Sequence, residues 1–142
     1  MNYKKEINSR LKDYEGMYSF FNNNYKDIIK NCDKKIILRI CHILLQNNID
    51  YAINVIDKIY FDDYSCYSLK VNIYSQKKET LNKALDIIKK IEELYSHMMK
   101  KRIYIPILIA YIEWYPEKSF DYLLNISNRF KLNLEDIQSF FK

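Results

Sequence analysis

Glycine occurs once in the 142 residues, at Gly16, and proline twice, at Pro106 and Pro116. An all-β fold needs many Gly-rich turns, so this scarcity argues against one. It also removes every glycine-rich phosphate loop, because neither GxGxxG nor GxxxxGK(S/T) can be written from a single glycine. Long apolar runs are missing too. The longest, Ile103 to Ile112, is interrupted by Pro106, Tyr104 and Tyr111. It falls short of the roughly 18 residues of a membrane span. The opening Met1-Asn-Tyr-Lys-Lys-Glu has no apolar core of the kind a secretory signal carries, so no signal peptide is expected.

Cysteine and histidine are equally sparse. Cys32, Cys41 and Cys66 are odd in number and match no motif spacing, which reads as reduced thiols in the core of a soluble intracellular protein. His42 and His97 are the two histidines, and no Cys-x-x-Cys or His-x-x-x-His can be found. Cys41 and His42 are neighbours, so on a helix they point about 100° apart and do not face one ion easily. No metal site and no cofactor is therefore expected. Carboxylates do not cluster as a two-metal nuclease requires. Asp62-Asp63 is the one adjacent Asp pair, and it suits a helix N-cap before Tyr64. Glu92-Glu93 reads as a solvated helix face. No catalytic residues, no small-molecule substrate and no enzyme activity are expected.

What is present is hydrophobic patterning. The chain is 49% hydrophobic and 29% charged, which suits a globular rather than a disordered protein. Its length suits one domain that buries roughly two-thirds of its unfolded surface. Its net charge of +5 permits a polyanionic partner without demanding one.

Three segments share one pattern: Tyr51 to Ile59, Lys83 to Ile91 and Lys118 to Ile126. Each has a small residue second (Ala52, Ala84 and Ser119), an apolar residue third, Asn or Asp fourth and Ile ninth. Their starts lie 32 and 35 residues apart, the period of two-helix repeats. Within the second segment Ala84, Ile87, Ile88, Ile91 and Leu94 form one helical stripe. A second stripe precedes each segment: Ile37, Ile40, Cys41 and Leu44; then Tyr67, Val71 and Tyr74; then Tyr104, Ile107, Leu108 and Tyr111. Each unit thus reads as helix A, a polar turn and helix B. Gln46-Asn47-Asn48 and Ser75-Gln76-Lys77-Lys78 supply two turns, and Pro116 opens the third helix B, where its missing N–H costs nothing.

The expected fold is all-α, a right-handed α-solenoid of about three helix–turn–helix units spanning residues 34–133. Residues 1–33 form N-terminal helices or a cap, with short helices over 3–14 and 17–30 around Gly16. Residues 134–142 form a capping helix. The periodic tyrosines Tyr67, Tyr74, Tyr104 and Tyr111 are expected between helices rather than as base-stacking platforms.

One helix A opens with Arg102-Ile-Tyr104-Ile-Pro106, with Tyr111 seven residues after Tyr104 and Glu117-Lys118-Ser119 opening the next helix. Tyr64-Ser-Cys-Tyr67-Ser68 opens the preceding unit in a similar way. These features, at this period, resemble pentatricopeptide repeats, and in particular the repeat domain of protein-only ribonuclease P enzymes. The resemblance covers roughly residues 34–142. It implies binding of RNA, specifically folded tRNA-like RNA, in tRNA processing. Those enzymes also carry a metallonuclease domain with clustered Asp and a zinc site, neither of which is visible here, so cleavage is not implied.

In pentatricopeptide repeats, the residue after the helix A aromatic and the last residue of the repeat read a base. Carried over, the first positions are Leu38, Ser68 and Ile105, and the closing positions lie near Asp63, Lys100 and Asn133. Ser68 suits a base edge, whereas Leu38 and Ile105 do not, which favours recognition of RNA shape. Basic residues gather near the helix A starts: Lys100, Lys101 and Arg102 in the third, Lys34, Lys35 and Arg39 in the first, and Lys70 on the second. Aligned along one groove they would form a phosphate-binding stripe beside a separate nuclease. The alternative is a solenoid that serves as a scaffold for a protein partner.

Overall fold

The protein, described from a computed structural model, is defined over residues 2–98 and 101–130. Among the described residues it contains eight α-helices and no strand. Among them, too, no helix is long and apolar enough to cross a membrane. The chain gathers into two compact units, residues 1–62 and 63–142.

The first unit holds α1 (Tyr3–Asn8), α2 (Tyr14–Asn31), α3 (Lys34–Asn47) and α4 (Ile49–Ile56). The expected break at Gly16 falls earlier, across Ser9 to Asp13, and Gly16 lies inside the first turn of α2. Asp13 caps that turn, its carboxylate accepting the Gly16 N–H at 2.9 Å. A Cβ on residue 16 would overlap the same carboxylate as it now lies, so the exposed Asp13 side chain would have to shift. Further along, α2 kinks at Asn24, whose φ of −133° is not helical. The Asn24 amide donates to the Phe20 carbonyl at 2.9 Å, and such local side-chain bonds compete with the helical ladder.

Helices α3 and α4 form an antiparallel pair joined through one residue, Asn48. Its side chain accepts the Tyr51 N–H at 3.2 Å, so α4 begins at Ile49, two residues before the start read from the repeat. Helix α2 packs against both partners. Ile37, Cys41 and Leu44 of α3 are fully buried, as the stripe required. Tyr18 stacks on Tyr51 with centroids 3.9 Å apart, tying α2 to α4.

The second unit holds α5 (Tyr64–Tyr74), α6 (Leu81–Leu94), α7 (Ile105–Trp114) and α8 (Pro116–Phe130), with short 3₁₀ turns at Lys78–Thr80, Ser96–Met98 and Lys101–Tyr104. Helices α5 and α6 pair antiparallel in a definite register. The Lys90 ammonium lies 5.3 Å from the Tyr67 ring and the Lys83 ammonium 5.4 Å from the Tyr74 ring. Seven residues separate the members on each helix, two full turns. Both rings are buried while both lysines reach the surface. Each contact is worth about 0.5–1 kcal/mol at such an exposed site. Helix α7 packs on both α5 and α6, and α8 pairs with α7.

The repeated segments share their burial. Their ninth residues, Ile59, Ile91 and Ile126, are all buried, and their fourth, Asn54, Asp86 and Asp121, are all exposed. Cys41 and Cys66 are buried and Cys32 is half-buried. The expected terminal helix over 134–142 lies outside the described residues.

Asp63 acts as the N-cap of α5, accepting the Cys66 N–H at 2.8 Å. Asp63→Ala removes that acceptor and is expected to cost about 1 kcal/mol. Urea unfolding monitored by circular dichroism checks it: the midpoint falls while the slope stays constant.

Candidate nucleic-acid interface

Helix α3 has the sequence Lys34-Lys-Ile-Ile-Leu-Arg-Ile-Cys-His-Ile-Leu-Leu-Gln-Asn47, with no acidic residue in its 14 positions. Its buried stripe fixes which face meets solvent. Opposite Ile37, Cys41 and Leu44 stand Lys35, Arg39, His42 and Gln46, all exposed. Their spacings of four, three and four residues place them in one line along the helix. Among the described residues no carboxylate pairs with Lys35 or Arg39. The Lys34 ammonium, also exposed, sits 6.0 Å from the Phe61 ring.

The start of α3 is electrostatically unusual. Lys34 and Lys35 stand at the positive end of the helix dipole, where cations are unfavourable by a few tenths of a kcal/mol. The preceding Asp33 makes no side-chain cap hydrogen bond. A phosphate at that end would meet two ammoniums and the positive pole of the helix dipole together.

The other expected contacts are arranged differently. Ser68 is half-buried on α5. Lys70, on the same helix, is only 7% exposed and belongs largely to the packed interior. Arg102 is exposed, in the 3₁₀ turn before α7 rather than on the helix. Lys101 shares that turn, and Lys100 lies outside the described residues. Leu38 and Ile105 are half-buried apolar residues. Lys34, Lys35 and Arg39 are thus brought together on one helix of the first unit. Ser68, Lys70 and Arg102 belong to the second.

Tyr104, read from the sequence as part of a helix A stripe, is the N-cap residue of α7 and is 3% exposed. Pro106 lies in the first turn of α7, and its ring suits that position. The Tyr104 hydroxyl donates to Glu92 Oε1 at 3.0 Å, linking α7 to α6.

That link forms part of a cleft of about 530 Å³ between α6, α7 and α8, which the sequence reading did not find. Its apolar floor includes Tyr111 and Tyr122, whose rings meet edge-on at 4.9 Å. Its polar rim includes Lys89 and Glu92 from α6 and Lys118, Asp121 and Asn125 from α8. Lys118 and Lys78 both approach the Tyr115 ring, at 5.1 and 5.4 Å. The sequence signal for the cleft was the spacing of Lys118, Asp121 and Asn125, three and four residues apart, which shares one helix face. For α3 the missed signal was the unbroken absence of acid from 34 to 47.

No protein-family model, no curated protein and no solved structure matches the chain.

Burial pushes the Tyr111 phenol above its ordinary value. The folded state therefore prefers the neutral phenol, and that preference is fully expressed below the ordinary tyrosine range. It is lost as the pH rises through the folded value. Tyr111→Phe, which keeps the ring, is expected to flatten the fall in stability above about pH 10. Thermal unfolding of both proteins across the alkaline range measures the difference.

Proposed function

We propose that this chain is an RNA-binding helical-repeat module that recognises folded, tRNA-like RNA and does no chemistry of its own, serving beside a separate nuclease. The observation that carries the reading is the acid-free outer line of α3: Lys35, Arg39, His42 and Gln46 exposed in one row, with Lys34 at its start. Such a row offers cations and hydrogen-bond donors at intervals along roughly 16 Å of helix, about 11 steps of 1.5 Å from Lys35 to Gln46. That suits successive phosphates and the 2′-hydroxyls of an A-form groove.

The repeat architecture belongs to the same proposal. The pairs α3/α4, α5/α6 and α7/α8 act as helix A and helix B of three successive units of a right-handed solenoid of the pentatricopeptide type. The shared burial of Ile59, Ile91 and Ile126, and the shared exposure of Asn54, Asp86 and Asp121, support it. Arg102, exposed before α7, and Lys101 supply further cations in the second unit. Apolar Leu38 and Ile105 at base-reading positions favour recognition by shape over sequence.

A specific observation favours a second reading, docking of a protein partner. Ile109 on α7 is 48% exposed, and Phe120 and Leu124 on α8 are 65% and 45% exposed. Apolar side chains gathered on one helix pair are a common mark of a protein interface.

Binding to labelled precursor tRNA at two salt concentrations, with a duplex RNA of equal length as control, separates the two. The RNA reading expects tight, salt-sensitive binding that prefers the tRNA. Lys35→Ala with Arg39→Ala then flattens the salt slope by up to two contacts, roughly 0.7–0.9 each. Lys70→Ala leaves that slope in place. Weak binding, equal for both RNAs and insensitive to the α3 changes, contradicts the reading and favours the protein partner.

A further inference from the structure

The cleft between α6, α7 and α8 carries a chemistry that the α3 row does not. Its volume of about 530 Å³ lies within the roughly 300–1,000 Å³ of small-ligand sites. Tyr111 and Tyr122 give it an aromatic floor against which a planar ring can lie. Above that floor stand two cations, Lys89 and Lys118, and an exposed carboxylate, Asp121. Among the described residues none of these three forms an ion pair. Charges of both signs therefore converge on one opening without neutralising one another. A ligand that satisfies all of them has a flat aromatic body, an anionic group and an edge of hydrogen-bond donors.

We propose that this cleft binds a single unpaired guanine nucleotide. The lysines take the phosphate, as ammoniums do. The tyrosines receive the base. Asp121, an acceptor-only group when ionised, takes the donor edge. Among the four bases only guanine presents two adjacent donors, N1–H and the N2 amino group, which match the two oxygens of a carboxylate. Adenine, cytosine and uracil each place an acceptor next to their one donor group. Glu92, oriented by the Tyr104 hydroxyl at 3.0 Å, stands at the same rim. The proposal deepens the RNA reading and depends on it for the source of the nucleotide, an unpaired residue of folded RNA, while the chemistry of the cleft stands on its own residues.

Nuclear magnetic resonance titration of the isotopically labelled full chain with each of the four nucleoside 5′-monophosphates tests it. GMP is expected to shift the amides of Leu85 to Glu92 and Lys118 to Asn125, with an affinity of about 1 mM, near 4 kcal/mol of binding. It is expected to bind about tenfold more tightly than the other three. Asp121→Asn removes the preference for GMP, and Lys118→Ala weakens all four alike. Both side chains are exposed, so both variants keep the fold. GMP binding in the cleft by a chain that shows no affinity for RNA still supports the site, and the failure then lies with the RNA module. RNA binding through α3 without any GMP response at these residues overturns the cleft alone. An equal response to all four nucleotides also overturns it.

Discussion

Among the described residues, the helix pairs bury their apolar side chains between antiparallel neighbours, and the other features follow from that pairing. In the first unit Ile37, Cys41 and Leu44 of α3 turn inward against α2 and α4. In the second, Tyr67 and Tyr74 of α5 turn toward α6, where Lys90 and Lys83 close over them. A slip of α6 along α5 would lift both ammoniums off their rings at once, so the two contacts define the register as well as adding to stability. Burial of the stripes supplies the larger share, at roughly 1.5–3 kcal/mol for each fully buried large aliphatic or aromatic side chain.

The pairing also decides where charge goes. Once the inner stripe of α3 is committed, Lys35, Arg39, His42 and Gln46 have nowhere to point but outward. Elsewhere cations settle on aromatic rings: Lys58 at 5.5 Å from Tyr25, and Lys78 and Lys118 at either approach to Tyr115. Those lysines gain a partner and a fixed position. Lys35 and Arg39 have neither ring nor carboxylate beside them among the described residues, and they rest on a helix whose other outward groups are uncharged or basic. The contrast is the physical basis for assigning binding to α3.

Much of the architecture could be read from spacing. The spacing of Ile59, Ile91 and Ile126 picked out buried positions, Pro116 marked the start of α8, and Asp63 could be read as the cap of α5, because each rests on local chemistry. Lys70 could not be read in the same way. Seven of the eleven residues of α5 are buried, so the helix has no single inner stripe, and periodicity cannot say on which side a lysine falls. Gly16 misled for a related reason. Glycine commonly ends helices, but here its missing Cβ makes room for the Asp13 cap. The cleft of the second unit needed three helices to assemble it, and no pattern within one segment carries that information. The row on α3 was present in the sequence in full. Its cations Lys34, Lys35 and Arg39 were read, but His42 was weighed as a metal ligand rather than as part of the same line.

The most direct measurement of the central claim is a map of amide chemical-shift changes when precursor tRNA is added to the labelled chain at low salt. The largest changes are expected along α3 at Lys34, Lys35, Arg39, His42 and Gln46, fading as salt is raised. Changes absent from α3, with the strongest response at Ile109, Phe120 and Leu124 or nowhere at all, would contradict that claim.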